Sequence, residues 1–522
     1  MGEDVAVTVQ ARPHHVVPVA LSSLAEVAGA AAPSPDVEVT GLSLRSGSVR
    51  PGDLYAAVAG AKTHGARFVD QAKSAGARAI LTDQDGRGSA LDSGLPTLVV
   101  ERPRAVLGKV AAAVYGSPAT ALTLVGVTGT QGKTTTTQLL AWGLAAAGRR
   151  TAVVGTMGTW VDGEPVATSL TTPEAPDLHA LFAVMRERGV EVCAMEVSSH
   201  ALVLGRVDGV RFDVAVFLNF GRDHLDFHQD VEHYFEAKAS LFTTDRARLA
   251  LLNVDDPSVA PLRDVVDIPV HTFSPSGAPA DWRCTDVVLR ADGSDFTLTG
   301  PGGRETPVST RLPGDFNIAN AAAALAAAGE AGLDVRGVAA GMARVETVGG
   351  RLERIEAGQP FAVVVDYAHK PDAVTAALRA LRAMTTGRLL VVLGAGGDRD
   401  PGKRELMGAA AARLADVVVV TDDNPRNENP AAIRGALLAG ARGAAAARGD
   451  DVGPGGVEIH EVADRRAAIE RALVGARPGD TVLVAGKGHE TGQDVAGRIL
   501  PFDDRVVARE ILGALAGTVS GS

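Results

Sequence analysis

Short apolar runs rich in β-branched residues alternate with helical stretches over most of the chain. From residue 121 the runs are TLVGV, TAVVGT, EVCAMEV and FDVAVFLNF. From about residue 347 they are FAVVVDY, RLLVVLGAGGDRD, DVVVVTDDNPR and DTVLVAGKGHE. Apolar runs of this length between helices are typical of buried strands in a parallel sheet. The pattern therefore predicts an α/β fold in which the second and third blocks each contain such a sheet.

The remaining stretches divide the chain further. Before residue 115, the strand-like pieces DLYAAV, ARAILTD and LPTLVV mix with short helical patterns, and YGSPATA then indicates a linker. Between about residues 281 and 312, the turn signals Asp292-Gly293 and Gly302-Gly303 predict a small antiparallel meander appended to the central sheet. We predict three domains, 17–118, 119–346 and 347–513, followed by a disordered tail, ALAGTVSGS.

Length and charge narrow the class of protein. A chain of 522 residues exceeds one hydrophobic core, and its length suggests about three domains. The 51 basic and 62 acidic residues give a net charge of −11, which argues against nucleic acid as a partner. Cys193 and Cys284 are too few for a disulfide framework, and we find neither a secretory leader nor a membrane-spanning run. We expect a soluble, cytoplasmic monomer without membrane insertion.

The stretch TLVGVTGTQGKTTTT has the features of a phosphate-binding loop between a strand and a helix. Gly132-Lys133-Thr134 fits the P-loop pattern, but its first glycine falls one position early, at Gly126, and Gly129 can supply the tight turn instead. Lys133 would reach the β/γ-phosphates, and a following threonine the Mg²⁺. The alternative is a loop that binds no ligand. The predicted nucleotide contacts are Gly129, Thr130, Gln131, Gly132, Lys133, Thr134 and Thr135.

Acidic and imidazole side chains follow the next strands. Glu196 ends the run EVCAMEV, where an acid in a P-loop domain typically serves Mg²⁺ or, alternatively, caps a helix. In FLNFGRDHLDFHQD, His224 and His228 are four residues apart, but no third ligand at metalloprotease spacing follows. On spacing alone, a metal site and an ordinary helix start fit this cluster equally well.

Lys238 occupies an unusual position. In VEHYFEAKASLF, the residues at 231, 234, 235, 238, 241 and 242 fall on one helical stripe, in which Lys238 is the only charged residue. Such a lysine either extends to solvent or is buried with a lowered pKa, and the pattern alone favours the exposed position. A buried neutral amine can react with CO₂ to form a carbamate, which binds metals as a carboxylate does.

A set of motifs occurs in a fixed order along the chain: TGTQGKTTT, TTPEAP, MEVSSHAL, RDHLDFH, YFEAKASLF, GDFNIANAAAA, GRLE, DYAHKPDA, GGDRDPGKR, DDNPR and AGKGHE. Together they resemble the Mur ligase family of peptidoglycan synthesis, from about residue 38 to residue 512. The resemblance implies an N-terminal α/β domain that binds the UDP end of the substrate, a central ATPase domain and a C-terminal Rossmann-like domain.

The resemblance also implies a reaction and its cofactors. ATP would convert the D-glutamate γ-carboxylate of UDP-N-acetylmuramoyl-L-alanyl-D-glutamate to an acyl phosphate, which an amine would attack. Thr134 and Glu196 would hold one Mg²⁺, and His224 would hold a second together with Lys238 as N6-carboxylysine. The catalytic residues implied are Lys133, Glu196, His224 and Lys238.

The family's other contacts carry over in three groups. Further ATP contacts fall on Asn317, Arg351 and Asp366. Contacts with the muramoyl-dipeptide and its UDP end fall on Leu44, Ser46, Ala61, Lys62, Thr63, Thr171, Thr172, Ser198 and Arg206. Contacts with meso-diaminopimelate fall on Arg399, Asp423, Asn424, Pro425, Arg426, Gly486 and Glu490. The run Leu44-Arg45-Ser46-Gly47 departs from the family's Asp-Ser-Arg and loses the charges that flank the serine.

The tetrapeptide Asp423-Asn424-Pro425-Arg426 favours meso-diaminopimelate over lysine as the amine. Diaminopimelate carries a second carboxylate that an arginine can bind through two hydrogen bonds, and lysine carries none. An ordinary Asp-Asn-Pro turn is the alternative. Two other functions also remain open at this point. One is another amide ligase on the same scaffold, such as a Mur ligase that adds L-lysine or another amine, or a folylpolyglutamate synthase. The other is an ATP-driven regulatory or transport module.

Overall fold

The computed structural model describes residues 11–60, 63–168, 170–290, 292–447 and 456–519. Three main sheets of four, eleven and six strands follow one another along the described chain, within residues 41–99, 123–310 and 353–485. This is the three-part α/β architecture that the sequence predicts. The domain boundaries after residues 118 and 346 remain predictions. Within the described ranges, every helix is too short or too polar to cross a membrane.

The N-terminal sheet is small and parallel in the order β3-β4-β5-β6, because a crossover connects each strand to the next. The elements of this block are β1 Val19–Ala20, α1 Leu21–Ala28, β2 Glu38–Val39, β3 Gly41–Ser43, β4 Asp53–Ala57, α2 Val69–Ser74, β5 Ala79–Thr82, α3 Arg87–Asp92, β6 Thr97–Val99 and α4 Pro103–Val114.

The central block contains the eleven-stranded sheet, in the order β10-β9-β8-β11-β7-β12-β13-β14-β15-β16-β17. Its elements are β7 Thr123–Thr128, α5 Lys133–Ala146, β8 Thr151–Gly155, β9 Gly158–Val161, β10 Glu164–Val166, α6 Ala175–Glu187, β11 Val192–Glu196, α7 Ser199–Val203, β12 Val214–Phe217, α8 Val231–Ala239, β13 Ala250–Asn253, α9 Val259–Arg263, β14 Val270–Ser274, β15 Trp282–Arg290, β16 Gly293–Gly300, β17 Arg304–Thr310, α10 Asp315–Glu330 and α11 Val335–Met342.

Strands β8, β11, β7, β12, β13 and β14 run parallel, and helices cover both faces of the sheet. Successive residues of β7 pack into the hydrophobic cores on opposite faces of the sheet. Leu124 packs with α6, and Val125 packs with α5 and α10. The predicted meander is confirmed, because β15, β16 and β17 pair antiparallel at one edge. The carboxyl ends of the neighbouring strands β11, β7 and β12 lie side by side, which places Glu196, Thr128 and Phe217 at one edge.

The C-terminal sheet has the order β18-β19-β23-β20-β21-β22, and its five main strands are parallel. Helices α12, α13 and α14 cover one face, and α15 and α16 cover the other. The elements are β18 Glu353–Arg354, β19 Ala362–Asp366, α12 Pro371–Arg382, β20 Leu389–Leu393, α13 Gly402–Leu414, β21 Val417–Val420, α14 Pro430–Ala447, β22 Glu458–Glu461, α15 Arg465–Gly475, β23 Thr481–Ala485, β24 Gly492–Val495, β25 Arg498–Pro501 and α16 Asp504–Val519.

The last helix extends further along the chain than the sequence predicts. The prediction of a disordered tail from residue 514 is wrong for residues 514–519, because α16 continues to Val519. Leu515 packs against the same core as Ile511 and Leu512, which extends the apolar face of this helix by one more turn.

Candidate active site

A cavity of about 520 Å³ lies where the central sheet meets the C-terminal block. The carboxyl ends of β7 and β11 and the loop after β12 form one wall, and the loop after β19 forms the other. Ligands of open α/β sheets bind at the carboxyl ends of the strands, so this is the expected position for a site. Of the predicted residues, it brings together Thr130, Gln131, Gly132, Lys133, Thr134, Thr135, Thr171, Glu196, Ser198, Arg206, His224, Lys238, Arg351, Asp366 and Arg399.

The phosphate loop joins β7 to α5. Gly129 and Gly132 both have positive φ, at 153° and 85°, and a Cβ atom on Gly132 would lie 2.3 Å from Asn320 Oδ1. The displaced Gly126 is inside β7, where a Cβ atom would lie 2.8 Å from the Phe212 ring. Gly126 therefore serves packing of the strand, and the turn itself uses Gly129 and Gly132.

Asn219, which follows β12, fixes the shape of this loop. Its Oδ1 accepts hydrogen bonds from the backbone N–H groups of Thr130 at 3.1 Å and Gln131 at 2.9 Å, and its Nδ2 donates to Gln131 O at 3.2 Å. The sequence shows Asn219 among crowded polar residues but does not reveal this role, because the contact joins two distant loops.

Lys133 and Lys238 both point at the same loop. Lys133 Nζ donates to Gly129 O at 2.8 Å, and Lys238 Nζ donates to the same oxygen at 2.9 Å. Burial, reinforced by Lys370, lowers the pKa of Lys133 to about 8. Burial also lowers the pKa of Lys238 far below its ordinary value, and the nearby positive charges of Lys133 and Lys370 act in the same direction.

The stripe pattern alone predicts that Lys238 is exposed to solvent, and this prediction is wrong. The residue is 1% exposed, and its Nζ lies 4.6 Å from the centroid of the Tyr234 ring. The physical reason is that α8 turns this stripe toward the phosphate loop. There, a carbonyl and an aromatic face replace solvent as partners of the amine.

Glu196 and Thr134 supply oxygen atoms near the loop. Glu196 accepts hydrogen bonds from Thr156 N at 2.7 Å and Thr156 Oγ1 at 3.1 Å, while Thr134 Oγ1 accepts one from Arg351 Nη2 at 3.0 Å. Within the described ranges, no three His, Cys, Asp or Glu side chains form a ready metal cluster. A carboxylate and a hydroxyl facing a phosphate loop are nevertheless the oxygen donors that Mg²⁺ takes beside a nucleotide.

His224 lies on the other side of the loop and pairs with Asp223, with 2.9 Å between Nε2 and Oδ2. Its φ of 53° is unusual for a non-glycine residue. Burial lowers the pKa of His224, although Asp223 opposes this shift. The Nε2 atom of His228 lies 2.9 Å from Ser199 Oγ, so this nitrogen already has a partner within the chain.

The C-terminal block contributes Arg351 and Asp366. The Arg351 guanidinium lies 4.7 Å from the Tyr367 ring centroid, and Asp366 accepts hydrogen bonds from the backbone N–H groups of Leu352 at 2.7 Å and Ala368 at 2.8 Å. Burial raises the pKa of Asp366. Asn317 lies behind the cavity wall and donates to Pro313 O at 2.7 Å. Its neighbour Asn320 reaches the cavity instead.

The predicted dipeptide contacts lie on the β11 side of the cavity. Thr171 Oγ1 is 3.2 Å from Thr156 Oγ1, and Thr172 Oγ1 donates to Glu196 O at 2.8 Å. Ser198 caps α7 by accepting from Ala201 N at 3.2 Å. Arg206 donates through Nε to Glu174 Oε1 at 3.0 Å.

The predicted uridine contacts lie in the N-terminal block, away from the central cavity. Ser46 Oγ donates to Gln71 Oε1 at 2.8 Å, and Thr63 O accepts from Gly60 N at 3.1 Å. Leu44 is half-buried beside the core of this block. Ala61 and Lys62 lie outside the described residues.

The predicted amine contacts form a second polar group at the carboxyl ends of β20, β21 and β23. Asn424 Nδ2 donates to Glu490 Oε2 at 2.9 Å. Gly486 has φ of 119°, and a Cβ atom there would lie 2.4 Å from Asp423 Oδ2. Arg426 and Pro425 lie beside Gly397, whose carbonyl accepts from Arg426 Nη1 at 2.6 Å. Arg399 Nη1 reaches back to Asp226 Oδ2 at 3.5 Å.

The sequence analysis did not identify two lysines that lie at these sites, one among the predicted amine contacts and one at the phosphate loop. Lys487 is fully buried, and its Nζ donates to Asn424 Oδ1 and Glu490 Oε2, each at 3.0 Å. Lys370 crosses from the C-terminal block to Asp223 and to Thr130 O. The motifs AGKGHE and DYAHKPDA contain both lysines, but only the fold brings their partners together.

Comparison with known protein families agrees with this architecture. Residues 127–328 match the Mur ligase middle domain, residues 350–488 match the Mur ligase glutamate ligase domain, and residues 38–115 match the Mur ligase family catalytic domain. Fold and site thus define an ATP-dependent ligase that forms amide bonds. More particularly, the chain belongs to the Mur ligase family.

Two relatives and one solved structure are similar over nearly their full length. UDP-N-acetylmuramoyl-L-alanyl-D-glutamate–2,6-diaminopimelate ligase of Streptomyces avermitilis is 52% identical, over 97% of this chain and 99% of that protein. The UDP-N-acetylmuramyl-tripeptide synthetase of Leifsonia xyli is 44% identical over 91% of both chains. A solved structure of a UDP-N-acetylmuramoyl-L-alanyl-D-glutamate–2,6-diaminopimelate ligase is 31% identical, covers 96% of this chain and 100% of its own, and gives a TM-score of 0.66.

MurF from Acinetobacter baumannii shares the fold with a TM-score of 0.65, over 96% of this chain and 98% of that one. Its sequence identity is only 19%, so the likeness concerns the fold alone.

Proposed function

We propose that this protein uses ATP to join meso-diaminopimelate to the D-glutamate γ-carboxylate of UDP-N-acetylmuramoyl-L-alanyl-D-glutamate, a step of peptidoglycan precursor synthesis. The observation that carries the proposal is the single cavity in which the phosphate loop and Glu196 face Arg351 and Arg399 of the C-terminal block. The similarity to the Streptomyces avermitilis relative, which is named for this reaction and matches over 99% of its length, supports the identity of both substrates.

The chemistry follows from the weak electrophilicity of a carboxylate. Transfer of the γ-phosphoryl group of ATP to the γ-carboxylate gives an acyl phosphate, which the amine attacks to form the amide, with release of ADP and phosphate. The loop N–H groups and Lys133 bind the phosphates and offset their negative charge. No covalent bond to the enzyme is needed, because ATP itself activates the carboxylate.

Two Mg²⁺ ions and a carbamate belong to the proposal. Thr134 and Glu196 would hold one ion, and His224 and the carbamate of Lys238 the other. Bound Mg²⁺ neutralises charge on the transferring phosphoryl group. The buried amine of Lys238 fits carbamate formation, since its neutral form is favoured beside Lys133 and Lys370. The neutral Nζ would bond to the CO₂ carbon and lose one proton, which places an anion beside the positive charges of Lys133 and Lys370.

The amine pocket is proposed on the charges after β21 and β23. Arg426, whose side chain is 25% exposed, would bind the second carboxylate of diaminopimelate, and Arg399 lines the entrance from the cavity. The Glu490 carboxylate, held by Asn424, would accept hydrogen bonds from the ammonium group of the same head. L-lysine lacks this second carboxylate, so it would leave Arg426 with only its partners within the chain, Asp494 and Gly397 O.

The other end of the substrate is assigned to the central and N-terminal blocks. Thr171, Thr172, Ser198 and Arg206 would bind the muramoyl-dipeptide, and Leu44, Ser46 and Thr63 the UDP end. We further propose that the protein works in the cytoplasm, where ATP and UDP-linked sugars are available, and that it acts as a monomer.

One assay tests the proposal. The purified chain is given ATP, Mg²⁺, the UDP-muramoyl-dipeptide and, separately, meso-diaminopimelate, L-lysine or glutamate, and the products are read by mass spectrometry. We expect a tripeptide product with meso-diaminopimelate, and Arg426→Lys to lower kcat/KM for this amine by about tenfold or more, because a bidentate contact is lost. Equal incorporation of L-lysine would overturn the assignment of meso-diaminopimelate as the amine. ATP turnover without any amine would overturn the proposal that the protein is a ligase.

A further inference from the structure

Lys370 brings another ammonium group to the phosphate loop, and the proposed function gives it no role. It stands at the N-terminal cap of α12, in the C-terminal block, with its side chain 10% exposed. Its Nζ forms an ion pair with Asp223 and donates a hydrogen bond to Thr130 O at 3.3 Å. The C-terminal block thus places a cation inside the nucleotide-binding wall of the central block.

The position of this ammonium group resembles that of the loop lysine. Lys133 Nζ also donates to Thr130 O, and at the same distance of 3.3 Å. A lysine at this point of a phosphate loop reaches the β- and γ-phosphates when the nucleotide binds. Because the two ammonium groups share one carbonyl oxygen, Lys370 lies within reach of the same phosphate oxygens.

The buried charges around the phosphate loop also indicate that Lys370 lies where phosphate groups bind. Lys370 is buried and Lys133 is half-buried around the carbonyls of Gly129 and Thr130, and the carboxylate that pairs with one of them is Asp223. Carbonyl oxygens do not neutralise an ammonium group, and an uncompensated buried charge is costly. The cluster is therefore arranged in advance for a polyanion that arrives from outside the chain.

Building on the proposed function, we propose that Lys370 is a second phosphate-binding lysine, which contacts the γ-phosphate during its transfer. In that step the bond from Pγ to the β,γ-bridging oxygen breaks, a bond from Pγ to the γ-carboxylate oxygen of D-glutamate forms, and ADP leaves with the electron pair. Lys370 stabilises the charge on the phosphoryl oxygens and gives up no proton. Asp223 holds its ammonium group in place before the nucleotide arrives.

Nucleotide binding tests the contact without the amine. Affinities for ADP and for a non-hydrolysable ATP analogue with a γ-phosphate are measured by calorimetry on the whole chain with Mg²⁺. Since ADP lacks the γ-phosphate, Lys370→Met should weaken binding of the analogue about tenfold or more relative to ADP. Lys370→Gln can still donate a hydrogen bond to Asp223, but it should weaken binding of the analogue relative to ADP to a similar extent. Lys370→Arg should keep part of the preference for the analogue over ADP.

Arg222→Met is the matched control. Arg222 also pairs across the two blocks, at 3.6 Å from Asp400, but its side chain is 56% exposed. If Lys370 acts only by holding the blocks together, Arg222→Met should change the analogue-to-ADP ratio in the same direction. Such a change in Arg222→Met would overturn the proposal. An unchanged analogue-to-ADP affinity ratio in both Lys370→Met and Lys370→Gln would also overturn it.

Turnover separates this proposal from the proposed function. Lys370→Gln should lower kcat by about 10²-fold or more, as expected for loss of a charge-stabilising group, and leave KM for diaminopimelate unchanged. If the wild-type chain bound nucleotide as described but used another amine, the proposed function would fail while the role of Lys370 stood. If diaminopimelate were ligated and the nucleotide ratio did not change, only Lys370 would lose its role.

Discussion

At the scale of single residues, the site depends on amines that are buried rather than exposed. Lys238 lies among Tyr234, the phosphate loop and two further lysines, so its charged form is disfavoured. A neutral amine that is accessible from a cavity is the form that reacts with CO₂. The chemistry we assign to Lys238 thus follows from its surroundings more than from its residue type.

Lys238→Ala and Lys238→Arg should both lower kcat by about 10²-fold or more, because neither side chain can form a carbamate to help bind Mg²⁺. Added bicarbonate should not restore activity. Carbon-13 NMR of wild-type protein in labelled bicarbonate should show a carbamate signal that Lys238→Arg lacks. Lys109→Arg, at an exposed position of α4, is the control. Wild-type-like turnover in Lys238→Arg would remove the carbamate from the mechanism.

Lys487 holds the proposed amine pocket together without facing the phosphate loop. Its Nζ donates to Asn424, Glu490 and Gly492, the last at 2.6 Å. Lys487→Met should raise KM for diaminopimelate about tenfold or more and leave KM for ATP within about twofold, since only the amine contacts lose their anchor. Steady-state kinetics with each substrate varied in turn measure both values. A parallel rise in the two KM values would indicate a general loss of structure instead.

Local sequence signals reveal some of these residues and not others. The glycines and Lys133 were predictable because a phosphate loop is continuous in sequence. The unusual position of Lys238 was visible, but its amine donates a hydrogen bond to Gly129 O, which is 109 positions away. Lys370 acquires its role through Thr130, 240 positions away, and no pattern near residue 370 records that contact.

At the scale of elements, strands were the easiest to predict, because buried parallel strands are apolar on both faces. The runs TLVGV, EVCAMEV and DVVVVTDDNPR correspond to β7, β11 and β21. The end of α16 was missed, because the small and polar residues of ALAGTVSGS indicate disorder locally. Its helical part gains stability from Leu515, which packs on a core that the local pattern does not show.

Helices α13 and α14 make a close contact through glycine. A Cβ atom on Gly408 would lie 1.9 Å from Leu437 O. Gly408→Ala should therefore lower the free energy of unfolding by about 1–3 kcal/mol, as expected for overpacking. Gly443→Ala, in α14 with open space around it, should raise stability by up to about 1 kcal/mol through helix propensity. Urea unfolding measures both, and a stabilising Gly408→Ala would contradict the close packing.

At the scale of the whole molecule, stability should depend on pH through buried histidines. Burial lowers the pKa of His179 from 6.5 to about 4, and its Nε2 lies 3.1 Å from Asp208 O. The unfolded chain therefore binds a proton between pH 6.5 and about 4 that the folded chain does not bind. The free energy of unfolding should fall as the pH falls through this window, by up to about 1.4 kcal/mol per unit for this residue.

His179→Gln should reduce that slope, because glutamine can still donate to Asp208 O but does not titrate. Urea midpoints at several pH values between 7 and 5 measure the slope. Burial also lowers the pKa of His200 and His489 to about 4, so part of the slope should remain. Gly443→Ala provides the comparison, since it should change stability without changing the slope. An unaltered slope in His179→Gln would remove His179 from the acid response.

The cavity draws on both the central and the C-terminal blocks, so separation of the blocks would widen the path for substrates and products. The surface pair between Arg222 and Asp400 is largely exposed on its arginine side, and such pairs are worth at most about 1 kcal/mol. The Lys370–Asp223 pair lies where we place the γ-phosphate, so the nucleotide itself would compete for it. We therefore expect the blocks to open and close during each turnover.

A covalent link across this boundary should stop the cycle. In Arg222→Cys/Asp400→Cys, a short bis-maleimide should join the blocks selectively, because Cys193 and Cys284 are buried and burial raises the pKa of both thiols to about 12. Linked protein should release ADP at least about tenfold more slowly than the unlinked form, since opening would limit turnover. Each single-cysteine variant, treated alike, should keep its rate. Full-speed turnover of the linked protein would show that substrates reach the cavity without any separation of the two blocks.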